Sequence, residues 1–144
     1  IVDLDGTLAD CEHRRVYITR EPKNWDKFFS PRLVLKDPLI EPVSRVVRLL
    51  SATETIVFAS GRKESLRHVS IAWLRQHDLW TDPFALYLRP DGDFRSDTIV
   101  KMEMLGQIRA DGYDPWLVID DRSSVVAMWR EQGLTCFQVE DGDF

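Results

Sequence analysis

Long hydrophobic runs are missing from this 144-residue sequence. No stretch reaches the roughly 18 apolar residues of a membrane-spanning helix, and no secretory leader core is visible, which excludes both readings for these residues. Cysteine is scarce. Cys11 and Cys136 are the only two, far apart and without ligand spacing. That excludes a disulfide framework and points to a reduced, cytoplasmic setting. Positive charge is not in excess: 19 Lys and Arg stand against 24 Asp and Glu, for a formal net charge of −5. A surface built throughout to wrap nucleic acid is therefore excluded, although a local basic patch is not. Repeats and low-complexity segments are absent as well. What remains is the ordinary mixture of a folded domain, 44% hydrophobic and 30% charged, of a length that suits one domain with one proper core. The sequence opens inside an apolar run, so residues before Ile1, and a longer parent chain, are expected.

Short apolar segments alternate with helical patterns. Residues 1–4, 55–59 (TIVFA), 85–88 (ALYL), 116–119 (WLVI) and 135–139 (TCFQV) read as five strands. Pro42 suits a first helical turn, and Val43, Val46, Val47 and Leu50 follow at helical spacing. Leu66, Val69, Trp73 and Leu74 predict a second helix, Ile99, Met102 and Leu105 a third, and Val125, Val126 and Trp129 a fourth that stops near Gly133. Such alternation predicts an α/β domain with a mostly parallel sheet. Residues 10–41 break the pattern with three prolines, many charges and the aromatics Trp25, Phe28 and Phe29. They form either a lid or binding loop beside the site, or an excursion packed on its own aromatics.

The opening IVDLDGTLAD places two carboxylates, Asp3 and Asp5, on an apolar run. An unpaired carboxylate is costly to bury, so the run implies partners elsewhere. Ligands of an open parallel sheet bind beyond the carboxyl ends of its strands. There the sequence offers Asp3 and Asp5, then Ser60, Gly61 and Arg62, then Arg89 and Arg95, then Asp120, Asp121 and Arg122, with Lys101 on the intervening helix. Any one acid reads as a turn or cap residue. Two acid pairs on separate strand ends repel each other unless a cation joins them, and all-oxygen ligands point to Mg²⁺. A carboxylate held near a metal in low dielectric suits a nucleophile, Asp3. Asp5, one step further out, suits a general acid and then a general base. Gly6 lets the backbone approach a phosphate, and Thr7 starts a turn or holds Asp5.

The set DLDGT, SGR, a helical Lys and DD resembles the haloacid dehalogenase superfamily of phosphatases, whose first motif is DxDxT. The wording of SGR, LRPDGDFRSDTIVK and IDDRSSVVAMWREQGLTCFQVEDGDF, and of the insertion PKNWDKFF, is similar more closely to the 3′-phosphatase domain of bacteriophage polynucleotide kinase–phosphatases. The resemblance implies a Rossmann-like three-layer sandwich, with a parallel five-stranded sheet in the order 5-4-1-2-3 and a small cap inserted after strand one. It implies Asp3 as nucleophile, Asp5 as acid/base, Ser60 on a phosphoryl oxygen, and Lys101 neutralising the phosphate and orienting Asp3. Mg²⁺ is implied on Asp3, Asp120, Asp121 and the carbonyl of Asp5. Arg62, Gly61, Arg89 and Arg122 would contact substrate or steady the site. The substrate implied is a 3′-phosphoryl DNA or RNA end. No G-x-x-x-x-G-K-[ST] loop occurs, so any kinase half of the parent chain lies elsewhere. Two other readings stay open: a phosphatase for a nucleotide or sugar phosphate, and a phospho-acceptor signalling module. Asp5 speaks against the latter, since a base two residues from the acceptor hastens loss of its phosphate.

Overall fold

The computed structural model describes residues 1–80 and 85–142. Asp143 and Phe144, which close the tail quoted above, lie outside the described residues. Three short helices come first, α1 (Glu12–Thr19), α2 (Trp25–Phe28) and α3 (Pro31–Val34). The alternation then runs α4 (Glu41–Ser51), β1 (Val57–Lys63), α5 (Arg67–Gln76), β2 (Ala85–Arg89), α6 (Asp97–Ala110), β3 (Leu117–Arg122), α7 (Ser123–Glu131) and β4 (Thr135–Gly142).

β1 pairs in parallel with β2, and β3 in parallel with β4. The opening run lies between these pairs. Val2 makes single parallel bridges to Phe58 of β1 and Ile119 of β3. Its N–H donates to the Val57 carbonyl at 2.8 Å, and the Asp3 N–H donates to the Ile119 carbonyl at 3.0 Å. The resemblance implies a five-stranded parallel sheet. The structure has two parallel strand pairs, each bridged to Val2, and the chain turns soon after Asp3. There the Leu4 carbonyl accepts the N–H groups of Thr7, Leu8 and Ala9, which winds the DGT segment into a turn.

β1 and β3 also run further than their apolar cores predict, so that Ser60, Gly61 and Arg62, and Asp120 and Asp121, lie within strands rather than after them. Both strands lose regular register at this point, between Ser60 and Lys63 and between Asp120 and Arg122. Helices cover both faces. Along β1, Val57 and Ala59 pack on Val100, Met104 and Ile108 of α6, whereas Phe58 packs with Val47 of α4 and Trp73 and Leu74 of α5. On β3, Val118 meets Val125, Val126 and Trp129 of α7, and Ile119 points to the opposite layer. Strands buried on both sides are the expected consequence of parallel pairing with crossover helices.

One helix presents a different face from the predicted one. Ile99 and Met102 are 40% and 44% exposed, while Val100, Met104, Leu105 and Ile108 are buried. The i, i+4 row of Val100, Met104 and Ile108 lies on β1, and Lys101 shares the buried side. A charged residue on the inward face hid the true stripe. The insertion is packed: Phe28 and Val34 are buried, and the rings of Trp25, Phe28 and Phe29 lie 4.8 to 6.1 Å apart. Cys11 and Cys136 are buried and free. Among the described residues, no helix is long and apolar enough to cross a membrane.

The corrected face of α6 sets an expectation for stability. Ile108→Ala should cost about 2–5 kcal/mol, the usual range for truncating a buried aliphatic side chain, and Met102→Ala about 0.5 kcal/mol or less. Urea unfolding of the two variants checks this; equal costs would reject the assignment.

Candidate active site

The floor of the site is a buried ion cluster. The Lys101 ammonium donates to Asp3 Oδ1 and to Asp120 Oδ2, each at 2.7 Å. Asp120 also accepts the indole N–H of Trp129 at 3.0 Å and the backbone N–H groups of Asp121 and Arg122 at 3.0 and 3.3 Å. Asp121 accepts the Thr7 hydroxyl at 3.1 Å. Thr7 lies in the turn the sequence suggested, and its hydroxyl holds Asp121 rather than Asp5. The backbone makes room for this packing. Gly6 has φ +89°, and a Cβ there would lie 2.3 Å from Asp121 Oδ2, so both the conformation and the space require glycine.

Burial, and then the neighbouring Asp120 and Asp121, raise the pKa of Asp3 well above the usual carboxylate range, against the pull of Lys101. Burial and Asp120 also raise Asp121. Burial alone would lower the Lys101 pKa, but Asp120 and Asp3 overcome it and hold the ammonium charged. Oxygen atoms of Asp3, Asp120 and Asp121 lie within 4.8 Å of one another, a group that could hold a metal ion. With a single ammonium facing three carboxylates, negative charge is left over. An all-oxygen donor set with surplus negative charge fits a hard divalent cation. The Asp5 side chain is not in this group; of Asp5, only the main-chain carbonyl remains as the expected ligand.

A second ion network holds Asp5. The Arg14 and Arg62 guanidinium groups both donate to Asp5 Oδ1 at 2.5 Å, and both reach Asp37, at 2.7 and 3.0 Å. Arg14 adds a second bond to Asp37 at 2.8 Å and lies over the Phe28 ring, 4.4 Å from its centroid. Asp37 also meets His13 at 2.8 Å. Burial would raise the Asp5 pKa, but Arg62 and Arg14 together bring it below the ordinary value, which favours the carboxylate.

Above these networks opens a cleft of about 390 Å³. Its lining includes Asp3, Asp5, Ser60, Gly61, Arg89, Lys101, Asp120, Asp121 and Arg122, so nine of the ten residues expected to carry the site meet there, with one exception.

 That exception is Arg62; Arg95 lines the cleft with the rest. Arg62 is fully buried and committed to Asp5, Asp37 and the Ser70 hydroxyl at 3.3 Å. Of the two roles expected of Arg62, contacting substrate or steadying the site, its surroundings fit the second, because its donors already face buried carboxylates. Ser60 is buried and accepts the Arg62 N–H at 3.3 Å. A Cβ at Gly61 would crowd Asp97 Oδ1 at 3.1 Å. Asp97 pairs with both Arg89 and Arg122, so these two arginines line the cleft with a carboxylate between them. Arg14, Asp37 and Asp97 escaped the sequence reading. Arg14 sits in a charged insertion, and Asp97 is an acid in the first turn of α6. The surviving signal was electrostatic: a carboxylate beside Asp3 had to find cations.

The sequence matches the family described as the polynucleotide kinase PNKP phosphatase domain over residues 1–144. Among solved structures, a chain of the Pnkp1/Rnl/Hen1 complex superposes with a TM-score of 0.79 at 32% identity, covering 99% of this chain and 45% of that one. A chain of the Pnkp1/Rnl/Hen1 RNA repair complex does so with a TM-score of 0.76 at 32% identity, covering 99% and 42%. The chain thus spans less than half the length of these two. A Clostridium difficile protein described as a phosphatase superposes with a TM-score of 0.62, covering 95% of this chain and 82% of its own. At 15% identity that likeness speaks for the fold alone.

The two acids of β3 should respond differently to neutralisation. Asp121→Asn removes a like charge and can keep its bond from Thr7, so in chelator the variant should melt at or above the wild-type temperature. Asp120→Asn keeps one of two oxygens, so it gives up either Lys101 and Trp129, which share Oδ2, or the two backbone N–H groups, which share Oδ1, and should melt lower. Thermal melts in EDTA check the order, which must not reverse. Adding Mg²⁺ should raise the melting temperature of the wild type more than that of either variant.

Proposed function

The chain belongs to the phosphatase-domain family of polynucleotide kinase–phosphatases, phosphoric monoester hydrolases of the haloacid dehalogenase superfamily, and from that premise we propose that it removes 3′-phosphate from polynucleotide ends through an aspartyl-phosphate intermediate, with Mg²⁺ as cofactor. The observation that carries the reading is Asp3, a buried carboxylate at the floor of a cation-lined cleft, hydrogen-bonded by Lys101 at 2.7 Å and grouped with Asp120 and Asp121. We also read the two strand pairs, with the Val2 segment between them, as the superfamily order 5-4-1-2-3. The bridges to Phe58 and Ile119 support it.

In the first half of the reaction an Asp3 carboxylate oxygen attacks phosphorus. The bond from phosphorus to the 3′ oxygen breaks, and Asp5 gives that oxygen a proton. In the second half Asp5, as a carboxylate, takes a proton from water while the water oxygen attacks phosphorus. Inorganic phosphate leaves and Asp3 is regenerated. Arg14 and Arg62 fix the orientation of Asp5 for both transfers. The negative charge of a bound phosphoryl group opposes the arginines and favours the protonated acid in the first half. Lys101 orients Asp3 and offsets the charge of the phosphoryl group, and Ser60 donates to a phosphoryl oxygen. Asp3, Asp120, Asp121 and the carbonyl of Asp5 would hold Mg²⁺, which when bound would supply further charge neutralisation at the phosphoryl oxygens. The RNA repair complex that contains a similar chain supports RNA ends among the substrates. A second reading, a phosphatase for a nucleotide or sugar phosphate, is favoured by the modest cleft of about 390 Å³.

Steady-state assays in Mg²⁺ separate the two. The expected order of kcat/KM is 3′-phosphoryl oligonucleotide, then nucleoside 3′-monophosphate, then sugar phosphate. A sugar phosphate at the head would support the second reading, and a 5′-phosphoryl oligonucleotide should be poor. EDTA should silence turnover and Mg²⁺ should restore it.

Asp3→Asn should abolish turnover, since the amide cannot attack phosphorus; activity within a factor of ten of wild type would remove Asp3 from its role. Asp5→Asn should cost about 10²–10⁴-fold, the usual contribution of general acid–base catalysis. The loss in the first step should shrink when nitrophenolate is the leaving group.

A further inference from the structure

Phe94 is the most exposed large hydrophobic residue among those described, 90% open, and it lines the same cleft as Asp3. A lone exposed phenylalanine needs no explanation. This one sits in a turn built around it. The Arg89 guanidinium donates to the carbonyl of Asp93 at 3.1 Å and to that of Arg95 at 2.7 Å, and so grips both chain neighbours of Phe94. Arg89 is itself held by Asp97. The Asp93 carboxylate accepts the Arg95 N–H at 3.0 Å and the Arg95 guanidinium at 2.6 Å. The Asp93 N–H closes the turn on the Pro90 carbonyl at 3.1 Å. Hydrogen bonds therefore hold the turn that carries Phe94, while the ring itself is almost fully exposed.

A second aromatic surface reaches the cleft from the insertion. Trp25 is 47% exposed and its ring stacks with Phe29, with centroids 6.1 Å apart and planes 21° from parallel. The Lys63 ammonium lies 5.7 Å from the Phe29 ring centroid. Trp25, Phe29, Phe94, Lys63 and Arg95 thus line a cleft whose floor is the phosphoryl-transfer site. Flat apolar faces interleaved with cations are what a nucleotide requires, with rings for the base and cations for the phosphates. A nucleobase offers such rings a flat π-face on which to stack.

We infer that Trp25 and Phe94 form a base-binding platform that selects a terminal nucleotide carrying its nucleobase over abasic ends and small phosphate esters. The inference rests on the function proposed above and adds the feature of the substrate that the enzyme reads. Stacking depends on the π-face rather than on hydrogen-bonding edges, so the platform accepts all four bases and favours purines, which offer the larger face. Arg89 acts as a positioning residue for Phe94.

The test uses 3′-phosphoryl oligonucleotides that are identical except for a terminal adenine, a terminal pyrimidine or no terminal base. Wild-type kcat/KM should favour the base-bearing ends over the abasic end by about 5- to 150-fold, the range that one base–aromatic stack supplies. Phe94→Ala should shrink this ratio, Phe94→Tyr should keep it, and Phe94→Ala combined with Trp25→Leu should bring it close to one. Phe94 is exposed, so its replacement carries little folding risk; the double variant is checked by its thermal melt, and Phe94→Ala decides the matter if that variant unfolds. Equal turnover of base-bearing and abasic ends by the wild type would overturn the platform, as would a ratio that survives Phe94→Ala. Either result leaves the 3′-phosphatase reading standing if the oligonucleotides are still hydrolysed. Hydrolysis of a sugar phosphate with no turnover of any 3′-phosphoryl oligonucleotide would overturn both.

Discussion

The Lys101 ammonium, 2.7 Å from both Asp3 and Asp120, is the interaction on which the site depends. Two carboxylates come from different chain segments, residues 1–3 and β3, and approach within reach of one cation carried by α6. Without that cation their burial has no electrostatic justification. The position of Lys101 also explains the packing of α6: the helix turns the side that carries Lys101 inward, and Val100, Met104 and Ile108 meet β1 on the same side. Charge pairing and apolar burial thus select one orientation of the helix, at the expense of the exposed Ile99 and Met102.

The second network performs a different task. Arg14 and Arg62 share Asp5 and Asp37, so the helix that opens the insertion, the loop before α4 and strand β1 meet at one group of charges. A buried arginine bonded to two carboxylates is costly to release, because either partner left alone is an uncompensated buried charge. The insertion is accordingly tied to the site through α1. It brings Trp25 to the lining of the cleft.

Together the networks divide the labour between the two acids of the DLDGT segment. Asp3 is packed with other acids against one ammonium, an environment in which a further cation is favourable. Asp5, two residues on, faces two guanidinium groups. Extended backbone sends alternate residues to the same side, and the turn that begins at Leu4 breaks this periodicity. The two carboxylates can then reach separate surroundings although they are near neighbours in sequence.

The alternation of strands and helices, the two acid pairs near the strand ends, Ser60 and Lys101 were all legible in the sequence, because each is a local feature: an apolar run interrupted by charge, or a charge at helical spacing. How the opening run joins the two strand pairs was not legible, since Val2 meets each through a single bridge, and a single-residue bridge leaves no periodic signature. Arg14, Asp37 and Asp97 were not legible either, and neither was the burial of Arg62. The chain has 19 basic and 24 acidic residues, and nothing in their order says which of them become partners. By itself the sequence determined the fold class and which residue types reach the catalytic edge, since hydrophobic patterning decides what is buried. Only the tertiary structure decided which cation neutralises which carboxylate, because that depends on distances between segments as far apart as Lys101 and Asp3, and Coulomb attraction acts through space rather than along the chain.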